Sequence, residues 1–123
     1  MEPGELGRTY PDGETIVNEG ETGDRMYIIQ RGKVSVSRRV EGREVTIATL
    51  GAGDVFGEMA IFEKTVRTAT VHAVGEVRIL SIDKKGFLRK VHEDPSLAYR
   101  VLQQMSQRIR QLSEELARLK SSA

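Results

Sequence analysis

Glu58 and Arg67 have the residue types and spacing that could do chemistry together. Glu58 follows Phe56-Gly57 and leads into Met59-Ala60-Ile61-Phe62, a run that suits one helical turn, and Arg67 comes nine residues later, followed by Thr68 and Ala69. Glycine lets backbone N–H groups close on an anion, and the start of a helical turn supplies more of them. A carboxylate is an acceptor for a sugar hydroxyl. Arginine offers phosphate oxygens a planar, always-charged fork. N–H groups, an arginine and a ribose-seeking carboxylate would suit a small nucleotide, and one arginine suits a single negative charge better than a triphosphate. Bare spacing leaves a blander reading open: Glu58 as a surface carboxylate, Arg67 as a solvated edge-strand charge and Gly57 as a simple turn.

The rest of the composition narrows the chemistry. The 123 residues amount to one domain with room for a core but not for a second domain of ordinary size. Lys plus Arg is 19 against 18 Asp plus Glu, so bulk charge does not point to nucleic acid. Cysteine is absent, which excludes disulfides, thiolate metal sites and a Cys nucleophile. His72 and His92 are too few for a histidine-rich metal site, and each reads as a packed or solvated side chain. No Ser/His/Asp grouping and no P-loop is readable, so neither an enzyme nor a catalytic cofactor is expected. No apolar run nears the roughly 20 residues of a membrane span. The N-terminus lacks the pattern of a signal peptide, so a cytoplasmic location without membrane partners is expected.

The elements that must position Glu58 and Arg67 come next. Eleven of the 12 glycines precede residue 76, where they mix with β-branched residues, and none follows Gly86. That contrast predicts short strands and tight turns first, then helix. Candidate strands are 15–17, 25–29, 33–39 and 45–50, the last two forming a hairpin across Glu41-Gly42. Two more, 68–74 and 76–82, flank Gly75 and place Arg67 at the start of a strand. Asp83 reads as the N-cap of a short helix with Phe87, Leu88 and Val91 on one face, and Asp94-Pro95 as the start of a second. Nothing breaks that second helix before Lys120, which makes it about 38 Å long at 1.5 Å per residue. Along it, Leu102, Met105, Ile109, Leu112, Leu116 and Leu119 are spaced 3, 4, 3, 4 and 3, the pattern of a two-helix seam. A single amphipathic helix lying on its own β-domain is the competing reading. The charge divides along the same line. Residues 1–94 carry 14 basic and 16 acidic residues, and residues 95–123 carry 5 and 2.

Residues 53–71 resemble the phosphate-binding cassette of the cyclic nucleotide-binding domain family. Phe56-Gly57-Glu58-Met59-Ala60-Ile61-Phe62, then Arg67-Thr68-Ala69 and Thr70-Val71, match its pattern position by position. The nine-residue interval from Glu58 to Arg67 resembles the kinase-regulatory and channel members. Two further stretches resemble the family's structural signature. One is Gly13–Gly20 with Gly23-Asp24, Met26-Tyr27-Ile28-Ile29 and Gly32-Lys33-Val34; the other is Leu50-Gly51-Ala52-Gly53-Asp54.

The resemblance implies a mostly β fold. An antiparallel, jelly-roll-like β-roll would carry a short cassette helix and a long C-terminal helix. The segment 1–8, with Pro3, Gly4 and Gly7, reads as loose, and the resemblance implies a roll over 9–94 and a lid or dimerisation helix over 95–120. It implies that Arg67 pairs with the cyclic phosphate, backed by Thr68, and that Glu58 accepts the ribose 2′-OH. Phe56, Gly57, Met59, Ala60 and Ala69 would line the cassette, and Ser113 on the long helix would face the purine. The implied ligand is cyclic AMP, with cyclic GMP possible. The implied partners are a second copy or an effector met through the helix. No helix-turn-helix follows the long helix here, so direct DNA binding has no module in this sequence. Two alternatives stand beside the sensor reading: a non-binding dimerisation module of the same fold, and the sensor half of a transcription regulator.

Overall fold

Apolar and polar residues alternate from Lys33 to Arg39, and this period-two pattern is one segment of the longest strand of the protein. The computed structural model describes residues 7–62 and 65–121; the loose segment expected at 1–8 lies almost wholly outside them. The strands are β1 (Arg8–Tyr10), β2 (Thr15–Val17), β3 (Thr22–Gly23), β4 (Met26–Val40), β5 (Arg43–Gly51), β6 (Val55–Phe56), β7 (Thr65–Val66) and β8 (Thr70–Ile82). The helices are α1 (Met59–Phe62), α2 (Lys84–Glu93) and α3 (Ser96–Ser121).

All pairings are antiparallel. One sheet runs β1-β8-β4-β5, with β2 also on β8 and β6 also on β4, and β3 and β7 form a separate two-stranded ribbon. Strands β4 and β8 organise the roll. Each continues through a glycine where the sequence suggested a break. The strands read over 25–29 and 33–39 are one strand, β4, and the pair read around Gly75 is one strand, β8. The ladder absorbs the bends through register shifts at Ile29/Arg31 and Arg31/Lys33 instead of stopping. The β4–β5 hairpin turns at Glu41 (φ 52°) and Gly42 (φ 79°), both left-handed, as the twist of a two-residue hairpin demands.

The core of the roll gathers Tyr10, Val17, Ile29, Val34, Phe56, Val71, Ala73, Val77 and Ile79. Val34 and Val36 sit opposite Ala73 and Val71 in the register, so the two long strands present one apolar face together.

The chain divides into two compact units, the first ending at Leu88 and the second starting at Arg89. Asp83 caps α2 as its position suggested, accepting the Gly86 N–H at 2.8 Å. Of the face expected on α2, Phe87 and Val91 are half-buried and Leu88 is exposed. The carboxylate of Asp94 accepts from the Ser96 N–H (3.1 Å) and Oγ–H (2.7 Å) at the head of α3. Leu97 and Val101 are buried on the first turns of α3. Among the described residues, no helix is long and apolar enough to cross a membrane.

Candidate functional site

Arg67 is held by its own backbone before its side chain does anything. Its N–H donates to the Glu21 carbonyl (2.8 Å) and its carbonyl accepts from the Gly20 N–H (2.9 Å), which extends the β3–β7 ribbon by one step. It therefore lies in the link between β7 and β8, not at the start of a strand as its position suggested.

The guanidinium then reaches across to the main sheet. Its Nη2 donates to the Arg25 carbonyl at 2.8 Å and its Nη1 to the Gly57 carbonyl at 3.5 Å. It lies over the Tyr27 ring, 5.7 Å from the centroid. Tyr27 in turn stacks on Phe56, with centroids 4.9 Å apart and planes 13° from parallel. These two aromatics are opposite each other in the β4–β6 register. Arg67 is thus seated on a platform built from β4 and β6, the second of which runs straight into the Gly57 turn.

Gly57 is needed where it stands. Its φ is +74°, and a Cβ there would lie 2.7 Å from Arg67 Nη1 and 3.1 Å from the Arg25 carbonyl. After it the chain makes the helical turn read from the sequence. Ala60 N–H donates to the Gly57 carbonyl (3.2 Å) and Ile61 N–H to the Glu58 carbonyl (3.1 Å). The amide of Ala60, expected to line the cassette, is therefore occupied within the turn. Ala60 and Ile61 are buried, while Met59 and Phe62 are exposed.

Glu58 is 7% exposed, one of two buried polar residues of the protein among those described, and it is engaged rather than free. A buried carboxylate is costly unless partnered, so its place beside the Arg67 platform is a feature of the fold and not a surface accident. The surface-carboxylate reading of Glu58 is excluded. Phe56 is buried, Arg67 and Ala69 are half-buried, and Thr68 is exposed. Ser113 lies exposed on α3, in the other compact unit.

A cleft of about 200 Å³ opens on the Arg67 side, lined among others by Val17, Asn18, Glu21, Gly23, Asp24 and Arg67. It is smaller than the roughly 300–1,000 Å³ usual for small-molecule clefts, and Glu58 is not in its lining. Sequence reasoning did not assign Gly23, Arg25 or Tyr27 to the site. Gly23 and Tyr27 stood in the Gly23-Asp24 and Met26–Ile29 stretches, read there as structural, and Arg25 only as the start of the strand 25–29. Among the described residues no group of three or more His, Asp or Glu is placed to hold a metal ion. His72 is half-buried, 3.7 Å from a Glu44 oxygen that also accepts from the buried Ser37 hydroxyl (2.8 Å). His92 is exposed on the last turn of α2.

The antiparallel roll thus brings Arg67, in the link between β7 and β8, against the glycine that leads into the helical turn after Glu58. The family model of the cyclic nucleotide-binding domain matches residues 7–94, and the chain belongs to that family. It is 37% identical over 111 residues to a CRP-like cAMP-activated global transcriptional regulator of Mycobacterium tuberculosis, covering 89% of this chain and 50% of that protein. It is 39% identical over 85 residues to the type II regulatory subunit of a cAMP-dependent protein kinase of Drosophila melanogaster, covering 68% and 22% respectively. Among solved structures, a catabolite activator protein of Thermus thermophilus superposes with a TM-score of 0.79 at 32% identity, covering 92% of this chain and 54% of that one. The chain spans about half the length of the bacterial regulators it matches.

Proposed function

We propose that the protein is a cyclic nucleotide sensor domain that binds cyclic AMP at the cassette and signals through α3, without catalysing a reaction. The observation that carries this is the buried carboxylate of Glu58, one residue beyond the Gly57 carbonyl that holds Arg67. Arg67 would pair with the cyclic phosphate, and Glu58 would accept the ribose 2′-OH. A deoxy-sugar would then leave the carboxylate without that donor, which makes the pair a filter for ribose. Cyclic AMP is favoured over cyclic GMP because the relatives named above are a cAMP-activated regulator and a subunit of a cAMP-dependent kinase. Thr68, next to Arg67, is the residue of the roll through which the base would be told apart.

The apolar stripe of α3 supports self-association as the output. Leu102, Ile109, Leu112, Leu116 and Leu119 are all exposed at 54–69%. A ligand that contacts one arrangement of that helix better than another shifts the population toward it. The lengths of the named regulators also favour a second reading, in which this domain is the sensor portion of a transcription regulator.

Titration calorimetry with cyclic AMP and cyclic GMP, with sedimentation of free and bound protein, tests the reading. Binding of cyclic AMP that is much weaker, but still measurable, in Arg67→Ala supports it. No binding of either nucleotide, together with no thermal stabilisation, would leave the dimerisation-module alternative standing.

A further inference from the structure

The platform under Arg67 has an open floor, and that floor is Gly23. A Cβ built on Gly23 would overlap Nε, Cζ and Nη2 of Arg67. The backbone does not explain a glycine there. Gly23 lies in β3, pairs with Thr65, and is not among the residues of positive φ. An L-residue fits the chain at this position. The three atoms nearest to such a Cβ all belong to the arginine side chain, whose far end is flexible.

We propose that Gly23 is the positioning residue for Arg67: by lacking a side chain it lets the guanidinium lie flat between the ribbon and the Arg25 carbonyl. The inference rests on the assignment of Arg67 to the phosphate. In the seat, two N–H donors are taken by the Arg25 and Gly57 carbonyls, which fixes the plane of the fork. Its remaining N–H groups are left for an anion. Gly23 and Arg67 line the same cleft, so the fork is held at a solvent-accessible wall. A fork fixed in advance does not have to be ordered when the ligand arrives. A methyl group at Gly23 would push the guanidinium off the Arg25 carbonyl at little cost to the fold and return that ordering to the binding step.

The test is Gly23→Ala in the parent and in an Arg67→Ala background, with cyclic AMP affinity by calorimetry and the melting temperature of the unliganded protein. In the parent, Gly23→Ala should weaken cyclic AMP by about tenfold, the loss of pre-organisation of one long side chain. The unliganded melting temperature should stay within about 2 °C, since only a flexible side chain moves. In the Arg67→Ala background the same change should alter affinity by less than about twofold, because the group it positions is gone. Parent-like affinity in Gly23→Ala, an equal loss in both backgrounds, or a melting temperature lowered by more than about 8 °C would each overturn the inference. If Arg67→Ala itself binds like the parent, the phosphate assignment fails first and the inference falls with it.

Discussion

In the roll, Met26, Val34 and Val77 are wholly buried and Ile29 and Ile79 are 1% exposed; on α3, Leu112 is 65% exposed and Leu119 69%. Both regions are patterned with the same kinds of side chain, at period two in the strands and at alternating threes and fours in the helix. The difference teaches that a periodic apolar face announces that something must cover it, not what. In the roll, facing strands of the same chain cover it through the β4–β8 register. On α3 only Leu97 and Val101 are buried; beyond them Met105 is half-buried and Leu102, Ile109, Leu112, Leu116 and Leu119 are exposed.

The sharpest way to break this contrast is to make similar truncations in both places. Ile79→Ala should cost about 2–5 kcal/mol of stability, because it removes a buried side chain and leaves a cavity. Chemical denaturation checks it, with Leu112→Ala, which removes an exposed side chain, expected to change the same midpoint little. A tighter test of the helix puts charge on the stripe. Leu112→Asp with Leu116→Asp should abolish any self-association seen by sedimentation while leaving the melting temperature of the roll in place. A melting temperature that falls with association would mean that the two regions share one cooperative unit.

Within the site, the comparison is between a residue held by carbonyls and one held by burial. Glu58→Gln should weaken cyclic AMP about tenfold and shrink its advantage over the 2′-deoxy analogue, since a neutral amide is a weaker acceptor for the sugar hydroxyl. Competition calorimetry with both nucleotides reads this directly. A smaller effect is expected at the head of α3. Hydrogen bonds from the Ser96 hydroxyl and amide hold the Asp94 carboxyl below its ordinary value of 3.8. A depressed carboxyl stabilises the fold above its unfolded value, and that contribution disappears as pH falls through the folded one. Far-ultraviolet circular dichroism should therefore show helix signal declining below about pH 4 more in the parent than in Asp94→Asn, which still caps but does not titrate. The smallest effect is at the hairpin. Glu41 holds φ 52°, where Asn is better tolerated, so Glu41→Asn should gain about 0.5 kcal/mol in a thermal melt.

The cassette was legible because its chemistry is local. Phe56 to Phe62 is contiguous, and the turn from Gly57 to Ile61 closes on itself with bonds between neighbours. The caps at Asp83 and Asp94 were legible for the same reason. The continuity of β4 and β8 was not, because Gly32 and Gly75 look like breaks to any local reading, and only the ladder of distant partners carries the strands through them.

The sequence by itself determined the family pattern, the period of each region and the passage from strands to helices after Ile82. Those follow from spacing and side-chain type, which are properties of neighbours along the chain. Only the tertiary structure decided that Glu58 is buried, that Arg67 is clamped to Glu21 and Gly20 by its own backbone, and that its fork rests on carbonyls from Arg25 and Gly57 above Tyr27. Arg25 and Arg67 are 42 residues apart in the chain. Contacts at such separation exist only once the strands between them have paired.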